Sequence, residues 1–271
     1  MDLRFELQTA ERAALAAGEL IAAHYARGPI AVETKADDSP VTQADRDANA
    51  KILEVLGEAF PEDAILSEET PDDHARLARR RVWIVDPLDG TRDFVARTGQ
   101  FSVHVGLAVD GEAVVGVVYQ PVTGALFSAA RGTGAFRAYA PRTSGSQLRV
   151  STVSELAALR IGVSRLNLSD RLKRCLHASG LERTVPMGAS VKHTALAAGE
   201  LDAVINLSAG ELEWDTCAPE VVIREAGGVV TDGEGRPFRY NQVDLVHHRG
   251  SICSNGKAHA ALVAAVQPYL T

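Results

Sequence analysis

Cysteine is nearly absent from this 271-residue chain: Cys175, Cys217 and Cys253 are its three examples, and they stand far apart. An odd count without paired spacing argues against a disulfide framework and a structural zinc site, and leaves three small residues suited to burial. Excess positive charge is missing too. With 28 Lys and Arg against 35 Asp and Glu the net charge is -7 and the pI about 5.6. That balance speaks against a coat for nucleic-acid polymers or a basic membrane patch, while leaving room for a locally basic pocket. No apolar run approaches bilayer length, and Met1-Asp2-Leu3-Arg4-Phe5-Glu6 has neither the basic region nor the apolar stretch of a signal peptide. A soluble, cytoplasmic protein is the expectation. The eight histidines show no ligand spacing; His193 and the pair His247-His248 read as surface or satisfied core residues.

What the chain does have is a hydrophobic fraction of 46%, over a length that suits one large domain or two modest ones. Leu3, Leu7, Ala10, Ala14, Ala17 and Ile21 recur at helical spacing and predict a long helix ending near Arg27-Gly28-Pro29. A loop over Lys35 to Thr42 precedes a second helix from Gln43 to Phe60, with Thr42 as its N-cap. Ala64 to Ser67 reads as a short strand. Phe101 to Val109, Glu112 to Gln120 and Ala125 to Ala130 read as an antiparallel meander, with turns at Asp110-Gly111 and Pro121 to Gly124.

Ala140 to Gln147, rich in Gly, Ser and Pro, reads as a linker between an α+β half, residues 1–147, and an α/β half, residues 148–271. The second half alternates: strand Arg160 to Ser164, helix Ser169 to Ser179, strand Leu181 to Val185, helix Ser190 to Ala198, strand Leu201 to Leu207 and helix Thr216 to Ala226. Strands Gly228 to Thr231 and Ser251 to Cys253 and a helix Lys257 to Tyr269 complete it.

The chemistry gathers around Val82 to Phe94, Val-Trp-Ile-Val-Asp-Pro-Leu-Asp-Gly-Thr-Arg-Asp-Phe. Val82 to Val85 predicts a buried strand, and Asp86, Pro87, Asp89 and Gly90 predict a turn where it stops, the place where open α/β sheets bind ligands. Two carboxylates converging on one point repel unless a cation neutralises them, and the matching cation is a hard one with oxygen ligands, Mg²⁺ or Mn²⁺. A plain β-turn accounts for the same residues.

Asp45, Glu68 and Asp215 also stand at predicted element ends, each with a bland role available: capping-box partner of Thr42, solvated loop acid and helix N-cap. One shared cluster explains all five acids at once, with Glu69, Glu211 and Glu213 available as supporting or substrate-facing groups. Metal-assisted hydrolysis of a phosphate monoester needs such a cluster, and Gly90 and Thr91 add backbone N–H groups for phosphate and a hydroxyl for the attacking water.

Ile84-Val85-Asp86-Pro87-Leu88-Asp89-Gly90-Thr91, preceded by Ser67-Glu68-Glu69 and followed by Glu213-Trp214-Asp215, resembles the inositol monophosphatase superfamily of Mg²⁺-dependent, Li⁺-sensitive phosphatases. The similarity spans nearly the whole chain. It implies an α/β fold, a layered αβαβα sandwich, and two or three Mg²⁺ per site, with Mn²⁺ able to substitute. It also implies Glu68, Asp86, the Leu88 carbonyl, Asp89 and Asp215 as metal ligands, Asp45 and Thr91 as the groups that activate water, and Gly90 and Thr91 as the phosphate cradle. Glu68, Leu88, Asp89 and Asp215 then border the substrate as well.

Within the superfamily three segments are similar to the 3'(2'),5'-bisphosphate nucleotidases: Lys35-Ala36-Asp37-Asp38-Ser39-Pro40-Val41-Thr42, Asp89-Gly90-Thr91-Arg92-Asp93-Phe94 and Gly188-Ala189-Ser190-Val191-Lys192. Arg239-Tyr240-Asn241 is also similar to their tails. That resemblance implies Gly188, Ser190 and Lys192 as nucleotide contacts, Lys192 giving a point charge to a second phosphate; a helix N-terminus with an exposed lysine explains the same stretch. The implied partner is a small phosphorylated nucleotide, with no nucleic-acid polymer or protein partner indicated; a homodimer is compatible.

The chain departs from the pattern after Trp214-Asp215, where Cys217-Ala218-Pro219-Glu220 replaces a small-residue run. Pro219 is expected in a first helical turn, where it is tolerated, and bears on substrate choice more than on metal binding. An inositol or sugar phosphatase shares the same metal site, and a non-catalytic nucleotide binder is the alternative of another class.

Overall fold

The structure, a computed structural model, describes residues 2–28, 31–34, 40–141, 145–166, 168–188, 191–208 and 210–270. Ala10, Ala13, Ala14, Ala17 and Ile21 are wholly buried along one side of helix α1 (Arg4–Ala26), and the small side chains let it lie close to its neighbours. A two-residue antiparallel pair, β1 (Glu33–Thr34) and β2 (Pro40–Val41), leads into α2 (Gln43–Ala59), which packs on α1. Thr42 caps α2 as expected: its hydroxyl accepts from Ala44 N–H, and Asp45 closes the box by accepting from Thr42 N–H.

Then come β3 (Ala64–Ser67), β4 (Arg81–Asp89), the short helix α3 (Thr91–Val95), β5 (Ser102–Val109), β6 (Glu112–Gln120), β7 (Ala125–Ala130), β8 (Gly134–Tyr139) and β9 (Ser146–Gln147). They form one seven-stranded sheet in chain order, parallel only between β3 and β4. The expected linker over 140–147 is therefore partly sheet: β9 pairs with β8, a strand the turn-rich composition concealed. Residues 142–144 of it lie outside the described residues.

The second sheet contains β10 (Ile161–Ser164), followed by α4 (Asp170–Ala178); β11 (Thr184–Met187), followed by α5 (Val191–Ala197); β12 (Ala203–Asn206), followed by α6 (Glu213–Glu225); then β13 (Val229–Asp232), β14 (Ser251–Ser254) and α7 (His259–Val266). Its order is β11-β10-β12-β14-β13. β10 runs parallel to β11 and β12 as the strand-helix alternation predicts, whereas β14 is antiparallel to both its neighbours because two strands there follow one another without an intervening helix.

Three apolar clusters set the layering. α1 and α2 cover one face of the seven-stranded sheet, α5 and α6 fill the space between the two sheets, and α4 and α7 cover the outer face of the second. This is the αβαβα sandwich. Two glycines make the middle layer fit. Gly106 and Gly116 are direct cross-strand partners; a Cβ on Gly106 would lie 2.7 Å from Cys217 Sγ, and one on Gly116 2.2 Å from the Ala218 carbonyl oxygen. Helix α6 thus rests almost on the backbone of β5 and β6, and its first turn is brought beside the end of β4. No helix among the described residues is long and apolar enough to cross a membrane.

Candidate active site

Asp86 and Asp89 are three apart, and in a regular strand such residues point to opposite faces. Here β4 does not stop at Val85 in a turn, as the sequence suggests, but continues to Asp89 with one irregularity. Asp86 pairs with His104 and Asp89 with Ser102, so three steps on β4 match two on β5. The extra residue is a β-bulge at Pro87-Leu88. Pro87 has no N–H for the ladder, which is why the bulge falls there. The bulge converts a spacing of three into an effective two and puts both carboxylates on one side. Asp86 Oδ1 accepts from Leu88 N–H at 3.0 Å, locking the bulge. Gly90, at φ +88°, makes the left-handed turn from β4 into α3.

Asp215 arrives from the opposite layer. Helix α6 begins at Glu213, three residues earlier than the apolar pattern predicts, so Asp215 sits inside the first turn, where its Oδ2 accepts from Leu212 N–H at 2.7 Å. One oxygen each from Asp86, Asp89 and Asp215 lie within 4.8 Å of one another. The early start also corrects the place of Pro219. It lies in the interior of α6, buried, beyond the turn where a missing N–H costs nothing, and the helix loses the hydrogen bond to the Asp215 carbonyl. Glu68 follows β3 and is held beside the cluster by its N–H, which donates to the Val85 carbonyl at 3.2 Å.

Asp45 is the capping-box partner of Thr42 through one oxygen, and its other oxygen meets Thr91. Oδ2 takes the Thr42 N–H and hydroxyl at 2.8 and 2.6 Å; Oδ1 faces Thr91 Oγ1 at 3.1 Å. Thr91 Oγ1 is also 3.2 Å from the Leu88 carbonyl. A helix cap thereby fixes a carboxylate against the hydroxyl at the start of α3.

The electrostatics are lopsided. Burial, reinforced by Glu68, Asp89 and Asp215, pushes Asp86 well above the usual carboxylate range. Burial and then Asp89 do the same to Asp215. Burial also raises Asp45, against the hydrogen bonds from Thr42 and Thr91. Two like charges about 4 Å apart at an effective dielectric of 20 repel by about 4 kcal/mol, a sizeable share of a typical folding free energy of about 5–15 kcal/mol. The donor set is all oxygen, with no sulfur and no imidazole in the trio, which matches Mg²⁺ or Mn²⁺.

The acids open into a cavity of about 250 Å³ that Asp89 and Asp215 line together with Ser164, Lys192, Asn206 and Glu211. A second cavity of about 240 Å³ beside β3, lined by Asp63, Arg76 and Arg79, holds none of the trio. Lys192, half-buried in the first turn of α5, faces the first cavity; burial lowers its pKa, opposed chiefly by Glu211 and then Asp89. Ser190 and residues 35–39 lie outside the described residues. The Gly188 N–H is taken by Gln100 Oε1 at 2.6 Å, and a Cβ there would lie 2.5 Å from the Gln100 carbonyl oxygen. Gly188 thus serves first to let the chain at this point approach the loop before β5.

Apart from Glu213, which the sequence offers as a supporting acid, the following supports are not visible in the sequence. Asp93 is buried and accepts from the Thr98 hydroxyl at 2.7 Å, and Thr98 Oγ1 accepts from Gln100 N–H, so the Arg92-Asp93-Phe94 run carries the loop on which Gly188 rests. His104, fully buried, places Nδ1 3.3 Å from the Trp214 carbonyl oxygen and Nε2 3.9 Å from Asp89 Oδ2. Glu213 accepts from the N–H groups of Asn241 and Gln242, and Arg76 donates to the Asn241 side chain, tying the loop after Glu68 to the start of α6. His193 and His247 are buried, which holds them neutral, at about 3 and about 4.

Known proteins match along this whole frame. The sequence model of the inositol monophosphatase family matches residues 2–271. The 3'(2'),5'-bisphosphate nucleotidase CysQ of Aggregatibacter actinomycetemcomitans is 34% identical over 243 residues, 87% of each chain. A histidinol-phosphatase of Chlorobaculum parvum is 30% identical over 98% of this chain and 96% of that one. Among solved structures, CysQ from Bacteroides thetaiotaomicron superposes with a TM-score of 0.79 at 31% identity, covering 94% of this chain and 99% of that one. With the bulged acid pair on β4, the aspartate on α6 and this match from end to end, the chain belongs to the inositol monophosphatase family and is a phosphatase of that family.

Proposed function

We propose that the protein is a Mg²⁺-dependent 3'(2'),5'-bisphosphate nucleotidase that removes the 3'-phosphate of adenosine 3',5'-bisphosphate and of its sulfated precursor, 3'-phosphoadenylyl sulfate. One observation carries the reading: Asp89 and Asp215, two of the three clustered acids, line the same cavity as a half-buried lysine. A monoester with one phosphate has no need of that lysine, and a bisphosphate does.

Glu68, Asp86, the Leu88 carbonyl, Asp89 and Asp215 are the residues that would hold the metal, two or three ions of Mg²⁺, or Mn²⁺ in its place. Bound there, a divalent ion lowers the pKa of water and neutralises charge on the phosphoryl oxygens. The chain's own part is positional. Thr91, with its proton directed to Asp45 Oδ1, turns a lone pair outward to accept from the attacking water, and Asp45 is the base at the end of that relay. The N–H groups of Gly90 and Thr91, at the first turn of α3, orient the phosphate. Lys192 meets the second phosphate from the cavity wall.

Support for the nucleotide comes from the bisphosphate nucleotidase CysQ relative and from the CysQ structure; the histidinol-phosphatase relative shows that this scaffold serves other phosphomonoesters. Initial rates with Mg²⁺ on adenosine 3',5'-bisphosphate, myo-inositol 1-phosphate and fructose 1,6-bisphosphate separate them. The nucleotide is expected to have the highest kcat/KM. A higher value for inositol phosphate overturns the nucleotidase reading and leaves the metal site standing.

A further inference from the structure

Seven acidic side chains are buried among the described residues: Asp45, Asp86, Asp93, Asp202, Glu211, Glu213 and Glu220. Six have their hydrogen-bond donors within the fold. Asp45 has Thr42, Asp86 has Leu88 N–H, Asp93 has Thr98, Asp202 has Arg160 and Ser151, Glu213 has two backbone N–H groups and Glu220 has Tyr240. Glu211 differs. Only 6% of its surface is exposed, yet its Oε2 is buried without any donor. Ser251, Asn206 and the charge of Lys192 ease its ionisation, which burial opposes, but no hydrogen bond to Oε2 forms, and Ser251 Oγ is itself without a partner. The backbone leaves the side chain little freedom to seek one elsewhere: the Glu211 carbonyl accepts from His247 N–H at 2.8 Å, and Leu212 bridges to Val246.

A fold does not keep a buried acceptor unpaired without a reason. Glu211 stands on the wall of the cavity that Asp89, Asp215 and Lys192 also line. The group that completes it must therefore donate a hydrogen bond. A phosphate oxygen is repelled; a hydroxyl fits. Adenosine 3',5'-bisphosphate, the substrate on whose assignment this inference rests, has a single free ribose hydroxyl, the 2'-OH, vicinal to the phosphate that leaves.

We infer that Glu211 is a specificity-determining residue that accepts a hydrogen bond from the sugar hydroxyl beside the scissile phosphate. A site built to pair with a hydroxyl rejects the analogue that lacks it, because its own buried group is then stranded. Lys192 reads the second phosphate and Glu211 the hydroxyl, so the cavity distinguishes a ribose bisphosphate from a mere dianion.

The test is a comparison of adenosine 3',5'-bisphosphate with its 2'-deoxy analogue, in the wild type and in Glu211→Ala and Glu211→Gln, at saturating Mg²⁺. The wild type is expected to favour the ribo substrate at least about tenfold in kcat/KM. Both variants should bring that ratio close to one, the ribo substrate losing far more than its 2'-deoxy analogue. Their melting temperatures should equal or exceed the wild type's, since an unpaired buried acceptor is removed. The inosine 3',5'-bisphosphate pair, with and without its 2'-OH, separates the sugar from the base: a variant that changes base preference and leaves the hydroxyl contrast intact overturns the inference. So does a wild-type ratio near one, or an equal loss on both sugars. Myo-inositol 1-phosphate against cyclohexyl phosphate supplies a second hydroxyl contrast. If no nucleotide is hydrolysed and inositol phosphate is, the nucleotidase reading fails, and that pair alone decides the role of Glu211.

Discussion

Asp89→Ala is expected to lower kcat/KM by about 10²–10³-fold or more, the scale on which one preorganised electrostatic contact to a transition state is lost, while the protein remains folded. Asp89 is the acid shared by the whole cluster. It is a neighbour charge to both Asp86 and Asp215 and belongs to the trio whose oxygens converge within 4.8 Å. On the proposed assignment, removing it takes a ligand from the metal and a negative charge from a crowded site at once. These act in opposite directions on two readouts. Turnover should collapse, and the melting temperature of the metal-stripped variant should stay level or rise, because repulsion among buried carboxylates falls. Near-normal turnover in this variant contradicts the metal site; a large drop in melting temperature shows Asp89 to be a scaffold residue instead.

Metal removal should cost stability in a pH-dependent way. Asp86 and Asp215 have folded-state pKa values raised above those of the unfolded chain, first by burial and then by one another's neighbours. A group raised in this way contributes stability that is fully present below the unfolded carboxylate pKa, about 4, and is lost as pH climbs through the raised folded value. The metal-free protein should therefore become less stable as pH rises from the acid side towards neutrality. Mg²⁺ must displace those protons to bind, so its stabilisation should grow over the same range. At a Mg²⁺ concentration about 100-fold over its Kd the gain is about 2.7 kcal/mol, or a rise in melting temperature of about 5–10 °C for a chain of this size. Melting curves at several pH values, in EDTA and in Mg²⁺, check it. A Mg²⁺ shift as large in acid as at neutral pH is the contrary result, and activity that persists in acid and in EDTA is another.

Much of the architecture is legible in the residues because helix and strand periods are local. The apolar stripe of α1, the Thr42 cap of α2, the meander of β5 to β7 and the alternation behind β10 to β12 all follow from spacings within a few residues. The features that were not legible depend on neighbours distant in the chain. Nothing in Asp86-Pro87-Leu88-Asp89 alone distinguishes a turn from a bulge; the pairing of Asp86 with His104 and Asp89 with Ser102 decides it. Helix α6 starts at Glu213 because Asp215 caps Leu212, a signal masked by the polar Glu213-Trp214 that precedes the apolar face.

The acids were readable as a set because one shared site explains five carboxylates at element ends more simply than five separate roles, and oxygens of Asp86, Asp89 and Asp215 do converge. Their supports were not. Gln100, His104 and Arg76 lie in ordinary strand and loop contexts and take on meaning only through Gly188, Trp214 and Asn241. Glu211 could not be distinguished by sequence from its neighbour Glu213. Glu213 is satisfied by two backbone N–H groups from 28 and 29 residues further along the chain, whereas Glu211 keeps an Oε2 without a donor in a cavity wall.

The central claim is that this acid cluster removes one particular phosphate from a bisphosphate nucleotide, and identification of the product tests it most directly. Adenosine 3',5'-bisphosphate incubated with the protein and Mg²⁺, followed by ³¹P NMR, is predicted to yield adenosine 5'-monophosphate and inorganic phosphate, with no conversion in EDTA. Adenosine 3'-monophosphate as the product, or an untouched nucleotide in the presence of Mg²⁺, would contradict the account.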